Sequence, residues 1–110
     1  MTQSLDTLFS AFSDPTRRAV IERLAHGQGT VGELAEPHDM ALPSFMRHLK
    51  VLETAGLVRS VKKGRVRTYR IDAAAMLEAQ GWLAWQREVW ERRLDTLDQL
   101  ALNLDQEKPE

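Results

Sequence analysis

LPSFMRHLKVLETAGLVRSVKKGRVRTYRI, residues 42–71, decides how this chain is read. Pro43 opens a helical segment in which Phe45, Leu49 and Leu52 recur at spacings of four and three, one face of a helix. Gly56 is placed to end that helix in a left-handed cap. The period then changes to alternation. Leu57–Val61 and Val66–Ile71 are rich in β-branched residues and flank Lys62-Lys63-Gly64-Arg65. Gly64 supplies the positive φ of a tight turn, so the spacing predicts a two-stranded β-hairpin. So small a hairpin is marginal unless it leans on the helices, and Leu57 and Ile71 are placed to anchor its base.

The same stretch is lopsided in charge. Arg47, Lys50, Arg59, Lys62, Lys63, Arg65, Arg67 and Arg70 oppose a single acid, Glu53, for a net of +7. The whole chain carries −1, which leaves −8 for everything outside it. Cations gathered on one helix–hairpin unit of an acidic protein suit a polyanionic partner. The plainer alternative is solvated surface charge serving solubility.

Composition bounds the rest. A chain of 110 residues is one domain's worth, and at that size much apolar surface stays uncovered, so a partner subunit would help. The apolar fraction of 43 % is ordinary for a globular protein, and no run approaches the roughly eighteen apolar residues of a membrane span. The N-terminus, MTQSLDTLFSAF, lacks the basic and apolar regions of a secretory signal, so a cytoplasmic location is expected. With no cysteine, disulfides, thiolate metal sites and thiol redox chemistry are excluded. Nothing in the sequence pairs a nucleophile with a base or forms a phosphate loop, so no enzyme is expected.

Toward the N-terminus, Ser4 is placed to cap a first helix with Leu5, Leu8, Phe9 and Phe12 on one face. Asp14 and Pro15 are an N-cap and a first helical residue, opening a second helix that turns Ala19, Val20, Ile21 and Leu24 inward and stops at Gly27. Thr30-Val31-Gly32-Glu33 is a capping box, and Pro37 limits the helix it opens to about Ala35 or Glu36. Two short helices with a tight connection, the second closed by a glycine, describe a helix-turn-helix.

Toward the C-terminus, the pattern is helical from Ala73 to Leu104, with an interruption expected near Gly81. Leu83, Trp90, Leu94, Leu97, Ala101 and Leu104 fall at intervals of seven, four, three, four and three, and Trp82, Trp85 and Val89 widen that stripe. A helix of roughly 22 residues is about 33 Å long, more than the small core before it can cover. Burial against a second copy is the expected outcome. Gln106–Glu110 reads as a polar tail.

SDPTRRAVIERL (13–24), TVGELA (30–35), LPSFMRHLKVLETAGLV (42–58) and KKGRVRTYRI (62–71) resemble the ArsR family of winged-helix bacterial transcription regulators, in order and spacing across residues 5–71. The resemblance implies a mainly α fold with a small β-hairpin, a winged helix-turn-helix. It implies a homodimer paired through the terminal helices, with residues 43–55 as the recognition helix in the major groove and the hairpin as a wing. The expected organisation is a single DNA-binding domain over 1–110. Within it lie a dimerisation helix in 1–14, the helix-turn-helix over 30–56, the wing over 57–71 and a second dimerisation helix over 73–104. Leu5, Leu8, Phe9, Phe12, Trp82, Trp85, Val89, Trp90, Leu94, Leu97 and Leu104 are the expected dimer-interface residues.

Metal-sensing members of that family carry a Cys-x-Cys pair where this chain reads TVGELAE, or His and carboxylate ligands on the last helix, which here has no histidine. His26, His38 and His48 have no partner at i+3 or i+4, the spacing of a helical metal pair. No metal and no cofactor are therefore expected, as in the metal-independent branch of the family.

Base reading needs side chains near the start of the recognition helix and away from its apolar face, which selects Ser44, Met46, Arg47, His48 and Lys50. Arg47 suits a guanine edge and Ser44 a base or a phosphate. Met46 either touches a thymine methyl or packs. His48 either donates to a phosphate or bridges helices, and Lys50 serves phosphate or solvent. Lys62, Lys63 and Arg65 at the wing tip either enter a minor groove or clamp the backbone, and Arg59 and Arg67 further down are the expected phosphate contacts. The three tryptophans either line an effector pocket or form interface core. The function expected is a sequence-specific dimeric repressor on a pseudo-palindromic operator in double-stranded DNA, its small-molecule effector unidentified. The alternative is a winged-helix protein-interaction module without an operator of its own.

Overall fold

The computed structural model describes residues 2–107. In chain order the elements are α1 (Thr2–Phe12), α2 (Pro15–Leu24), β1 (Gly29–Thr30), α3 (Val31–Ala35), α4 (Leu42–Thr54), β2 (Val58–Lys63), β3 (Val66–Ile71) and α5 (Ala73–Glu107). The chain forms two compact units, one ending at Ala79 and one starting at Gln80.

In the first unit the helix ends follow local chemistry. Asp14 is extended (φ −106°, ψ 132°), and its Oδ2 accepts from the Arg17 amide at 3.0 Å with Pro15 at the start of α2. At α3 the Glu33 amide donates to Thr30 Oγ1 at 3.2 Å, and the Thr30 amide donates to Glu33 Oε1 at 2.9 Å, so both halves of the capping box form. Helix α4 ends in a Schellman motif. The Leu57 amide reaches back to the Leu52 carbonyl and Gly56 N–H to the Glu53 carbonyl, each at 3.0 Å, with Gly56 at φ 78°.

The core gathers around α4. Phe45, Leu49 and Leu52 are buried against Leu8 of α1, Val20 and Leu24 of α2, Leu34 of α3, and Leu57, Val58 and Tyr69 at the base of the wing. Ile71 packs at the margin of this cluster, so both hairpin anchors are engaged.

Four expectations are corrected. Helix α1 is already under way at Thr2, so Ser4 lies inside it rather than capping it. The sheet has three strands in the order β1-β3-β2, not two, because Gly29 and Thr30 pair antiparallel with Tyr69 and Thr68. A two-residue strand shows no alternation, and Thr30 is at the same time the cap of α3. Lys62 and Lys63 belong to β2, which shortens the turn to Gly64-Arg65. Gly64 at φ 63° alone takes the positive dihedral that a two-residue loop of this kind needs. Finally, α5 runs unbroken through Gly81 for 35 residues rather than about 22 and takes in Gln106 and Glu107. A lone glycine costs a helix only about 1 kcal/mol. The last three residues of the expected tail lie outside the described residues.

The second unit is the remainder of α5. Trp82, Trp85, Trp90, Leu94, Leu97 and Leu104 are between 39 % and 58 % exposed in the single chain.

Candidate nucleic-acid interface

With Phe45, Leu49 and Leu52 turned into the core, helical geometry leaves Met46, Arg47 and Lys50 on the open face of α4, all exposed, with Ser44 half-buried at its flank. Among the described residues Arg47 and Lys50 have no ion pair or hydrogen bond of their own. His48 is held. Its Nδ1 lies 3.1 Å from Arg17 NH1 and 3.6 Å from Asp14 Oδ2. A guanidinium only donates, so Nδ1 is the acceptor of this contact while the ring is neutral. Arg17 also donates from Nε to the Ala11 carbonyl at 2.8 Å and from NH2 to the Ser10 carbonyl at 3.1 Å. The end of α1, the start of α2 and the middle of the recognition helix are thus fastened together. Of the two readings of His48, the bridge between helices is the one with observed partners.

On the hairpin, strand alternation and the register Lys62↔Arg67 and Ser60↔Tyr69 divide the side chains between two faces. Val58, Ser60, Lys62, Arg67, Tyr69 and Ile71 share the face that carries the core contacts. Arg59, Val61, Lys63, Val66, Thr68 and Arg70 share the other. Beside α4 a groove of about 480 Å³ is lined by Thr30, Val31, Gly32, Met46, Lys62, Arg65, Val66 and Arg67. A second, of about 400 Å³, lies against Gln28, Val61, Lys63, Thr68 and Arg70.

Five of the six wing cations, Arg70 being the sixth, fall into two groups. Lys62, Lys63 and Arg65 are exposed and, among the described residues, unpaired. Arg59 and Arg67 are engaged within the chain. Arg59 Nε donates to Asp72 Oδ2 at 2.5 Å, and Asp72 Oδ1 accepts from the Ala74 amide at 3.0 Å, capping α5. Arg67 NH1 donates to Ser60 Oγ at 2.7 Å, and Ser60 Oγ donates to Glu53 Oε2 at 3.0 Å. Tyr69 is buried, and burial pushes its phenol above the ordinary range.

Three carboxyls in this unit are held below the usual range. Arg59's hydrogen bond does so at Asp72, and the Thr30 amide at Glu33. At Asp14 burial by itself raises the carboxyl, but the Arg17 amide, the His48 ring and the Arg17 guanidinium outweigh it. Below their unfolded values of about 4 the folded chain binds fewer protons than the unfolded one, so stability falls as pH drops through the folded-state values and is fully present above about pH 4. Asp14→Ala should cost about 1 kcal/mol at neutral pH and flatten this acid limb, measured by urea unfolding across pH 2–6. An unchanged limb would remove Asp14 from it.

Where the sequence expected interface residues, the structure brings Met46, Lys62, Arg65 and Arg67 onto one groove and leaves Arg47 and Lys50 on the open face of α4. Leu8 is buried in the chain's own core, while Leu5, Phe9 and Phe12 are half-buried, Phe9 and Phe12 meeting edge to face at 6.4 Å. His38 stacks on Phe45 at 5.3 Å. Sequence reasoning missed Asp14 and Arg17 beneath His48, and Ser60 with Glu53 beneath Arg67. The first pair lies about thirty residues away in sequence, outside any local period. The second depends on α4 packing against the wing, which brings Glu53 beside Ser60, itself diagonal to Arg67 on one face of the hairpin.

A short capped helix followed by a core-anchored recognition helix, with a basic hairpin wing beside it, defines a winged helix-turn-helix DNA-binding protein. Residues 12–61 match the model of a helix-turn-helix domain family. The HTH-type transcriptional regulator Rv2034 of Mycobacterium tuberculosis is 45 % identical over 74 residues, covering 67 % of this chain and 69 % of that protein. The transcriptional repressor SdpR of Bacillus subtilis is 30 % identical over 79 residues, covering 72 % and 88 %. A crystal structure of an ArsR family transcriptional regulator superposes with a TM-score of 0.79 at 50 % identity, covering 83 % of this chain and 94 % of that one. The chain belongs to the ArsR family of winged helix-turn-helix transcriptional regulators, DNA-binding proteins rather than enzymes. Among the described residues no helix is long and apolar enough to cross a membrane, and no group of three or more His, Asp or Glu side chains is gathered as a metal site.

Proposed function

We propose that this protein is a cytoplasmic, homodimeric repressor of the family's metal-independent branch, binding a pseudo-palindromic operator. The organisation is that of one DNA-binding domain: a dimerisation helix in 1–14, the helix-turn-helix over 30–56, the wing over 57–71 and a second dimerisation helix over 73–104. Arg47 reads a base edge from the open face of α4, with Met46 and Ser44 beside it. Lys50 and the wing cations Lys62, Lys63 and Arg65 hold phosphates, and the bridged His48 fixes the helix that carries them. Trp82, Trp85, Trp90, Leu94 and Leu97 are interface core between two copies. An effector, where one acts, is a small molecule yet to be identified. The observation that carries the reading is the set of unpaired cations shared by one helix and the wing beside it. The similarity to a protein named a transcriptional repressor supports the direction of control.

The test is quantitative gel shift on the DNA upstream of the protein's own gene, against a scrambled duplex of equal length. Arg47→Ala should weaken operator binding by about 1–3 kcal/mol and relax the preference at one base pair of each half-site. Lys63→Ala should weaken binding to both duplexes alike. Equal discrimination before and after the Arg47 change would remove it from the reading set. Absence of binding to any duplex, with a folded protein, would favour the protein-interaction module.

A further inference from the structure

Glu53 is the one acid in a stretch that carries eight cations, and it sits in the last turn of the recognition helix. Its Oε2 accepts from the Ser60 hydroxyl at 3.0 Å, and the same hydroxyl accepts from Arg67 NH1 at 2.7 Å. A serine hydroxyl has a single proton. Because Arg67 only donates, that proton is committed to Glu53, so the relay runs in one direction from β3 through β2 to α4. The register adds a reason for it. Arg67 stands directly across the hairpin from Lys62, and like charges at opposed positions repel. Outside Val58, Tyr69 and Ile71 the hairpin has little apolar hold, its residues from Val61 to Arg67 being exposed. Among the described residues no other side-chain hydrogen bond joins the wing to α4.

The structure assigns Glu53 and Ser60 a positioning role: through Arg67 they lock the wing to the recognition helix and so set the angle between the two elements that grip DNA. This rests on the DNA-binding reading. The relay also fixes the direction of the Arg67 guanidinium through one of its N–H groups, so the free cations at the tip lead in backbone contact. Breaking it frees a cation and loosens the wing together. Affinity for arbitrary DNA then rises relative to affinity for the operator.

The test uses the full-length dimer with Ser60→Ala, Ser60→Thr and Glu53→Gln. In the free protein, ¹⁵N relaxation of the wing should report larger ps–ns motion in Ser60→Ala from residues 60 to 68, with Val58 and Tyr69 unchanged. On DNA, using a duplex selected by the wild-type chain from a random pool and a non-selected duplex, the operator-to-random affinity ratio should fall about tenfold. The log–log salt slope should steepen by about one per subunit for the guanidinium released. Ser60→Thr, which keeps a hydroxyl, should restore all three, and Glu53→Gln should fall between. A purely structural role would lower the melting midpoint and weaken both duplexes in parallel, with wing order and slope unchanged; that result overturns the assignment. So does wild-type wing order in Ser60→Ala. A wild-type chain that selects no sequence defeats the DNA-binding reading instead, and the relaxation arm still decides the relay.

Discussion

A chain carrying Leu94→Glu and Leu97→Glu should sediment as a monomer at micromolar concentration and lose operator binding by orders of magnitude, while its first unit stays folded. The two leucines lie on the stripe of α5 with Trp90, and they are 54 % and 58 % exposed in the single chain. Burying a leucine contributes about 1.5–3 kcal/mol, and a two-fold interface counts each change twice. Removing four buried leucines and adding four carboxylates near one axis costs more than the about 4 kcal/mol that separates nanomolar from micromolar association. DNA binding follows, because one subunit reaches a single half-site and half the phosphates. Phe45, Leu49 and Leu52 pack in the first unit, so its far-ultraviolet signal and its unfolding transition should persist. Sedimentation equilibrium is the measurement. A dimer of undiminished strength would move the interface away from this stripe.

Operator affinity should fall about 10³- to 10⁵-fold between 50 and 200 mM monovalent salt, the response of a protein neutralising about six to ten phosphates. The count follows from pairing among the cations expected to reach DNA, with Arg70, beside Asp72 at the base of the wing, left out. Arg47, Lys50, Lys62, Lys63 and Arg65 are free among the described residues, whereas Arg59 is held by Asp72 and Arg67 by Ser60. With Arg47 committed to a base, a dimer offers about eight phosphate contacts, for a log–log slope near −7. Fluorescence anisotropy over a salt series gives the slope. A slope shallower than about −2 would mean that the wing tip does not touch the backbone.

Much of the fold was legible before the structure because its signals are local. The Asp14-Pro15 start, the Thr30–Glu33 capping box and the Gly56 cap each depend on residues a few positions apart, and each formed as read, while Gly64 takes its positive φ in a turn two residues shorter than expected. The errors have one character. Ser4 sits within a helix where its type suits a cap, Gly81 within a helix where its type suits a break, and β1 is too short to carry a period. In each case the residue's preference is worth about 1 kcal/mol or less, and the surrounding segment outweighs it. At the interface, alternation and helical spacing identified the exposed cations, but they say nothing of which cation is already occupied.

By itself, then, the sequence determined the order of helices, the recognition helix with its inward face, the basic wing and the family. Caps, periods and turn residues act over a few residues, so the chain carries them wherever it goes. The tertiary structure decided what depends on distant segments meeting. Gly29 and Thr30 become a third strand because Tyr69 and Thr68 lie alongside. His48 becomes a bridge because α2 brings Asp14 and Arg17 under it. Arg67 becomes part of the wing's attachment because the register carries it to Ser60 and the end of α4 carries Glu53 to both. Hydrogen bonds and ion pairs act over a few ångströms, and only the packed core sets which groups come that close.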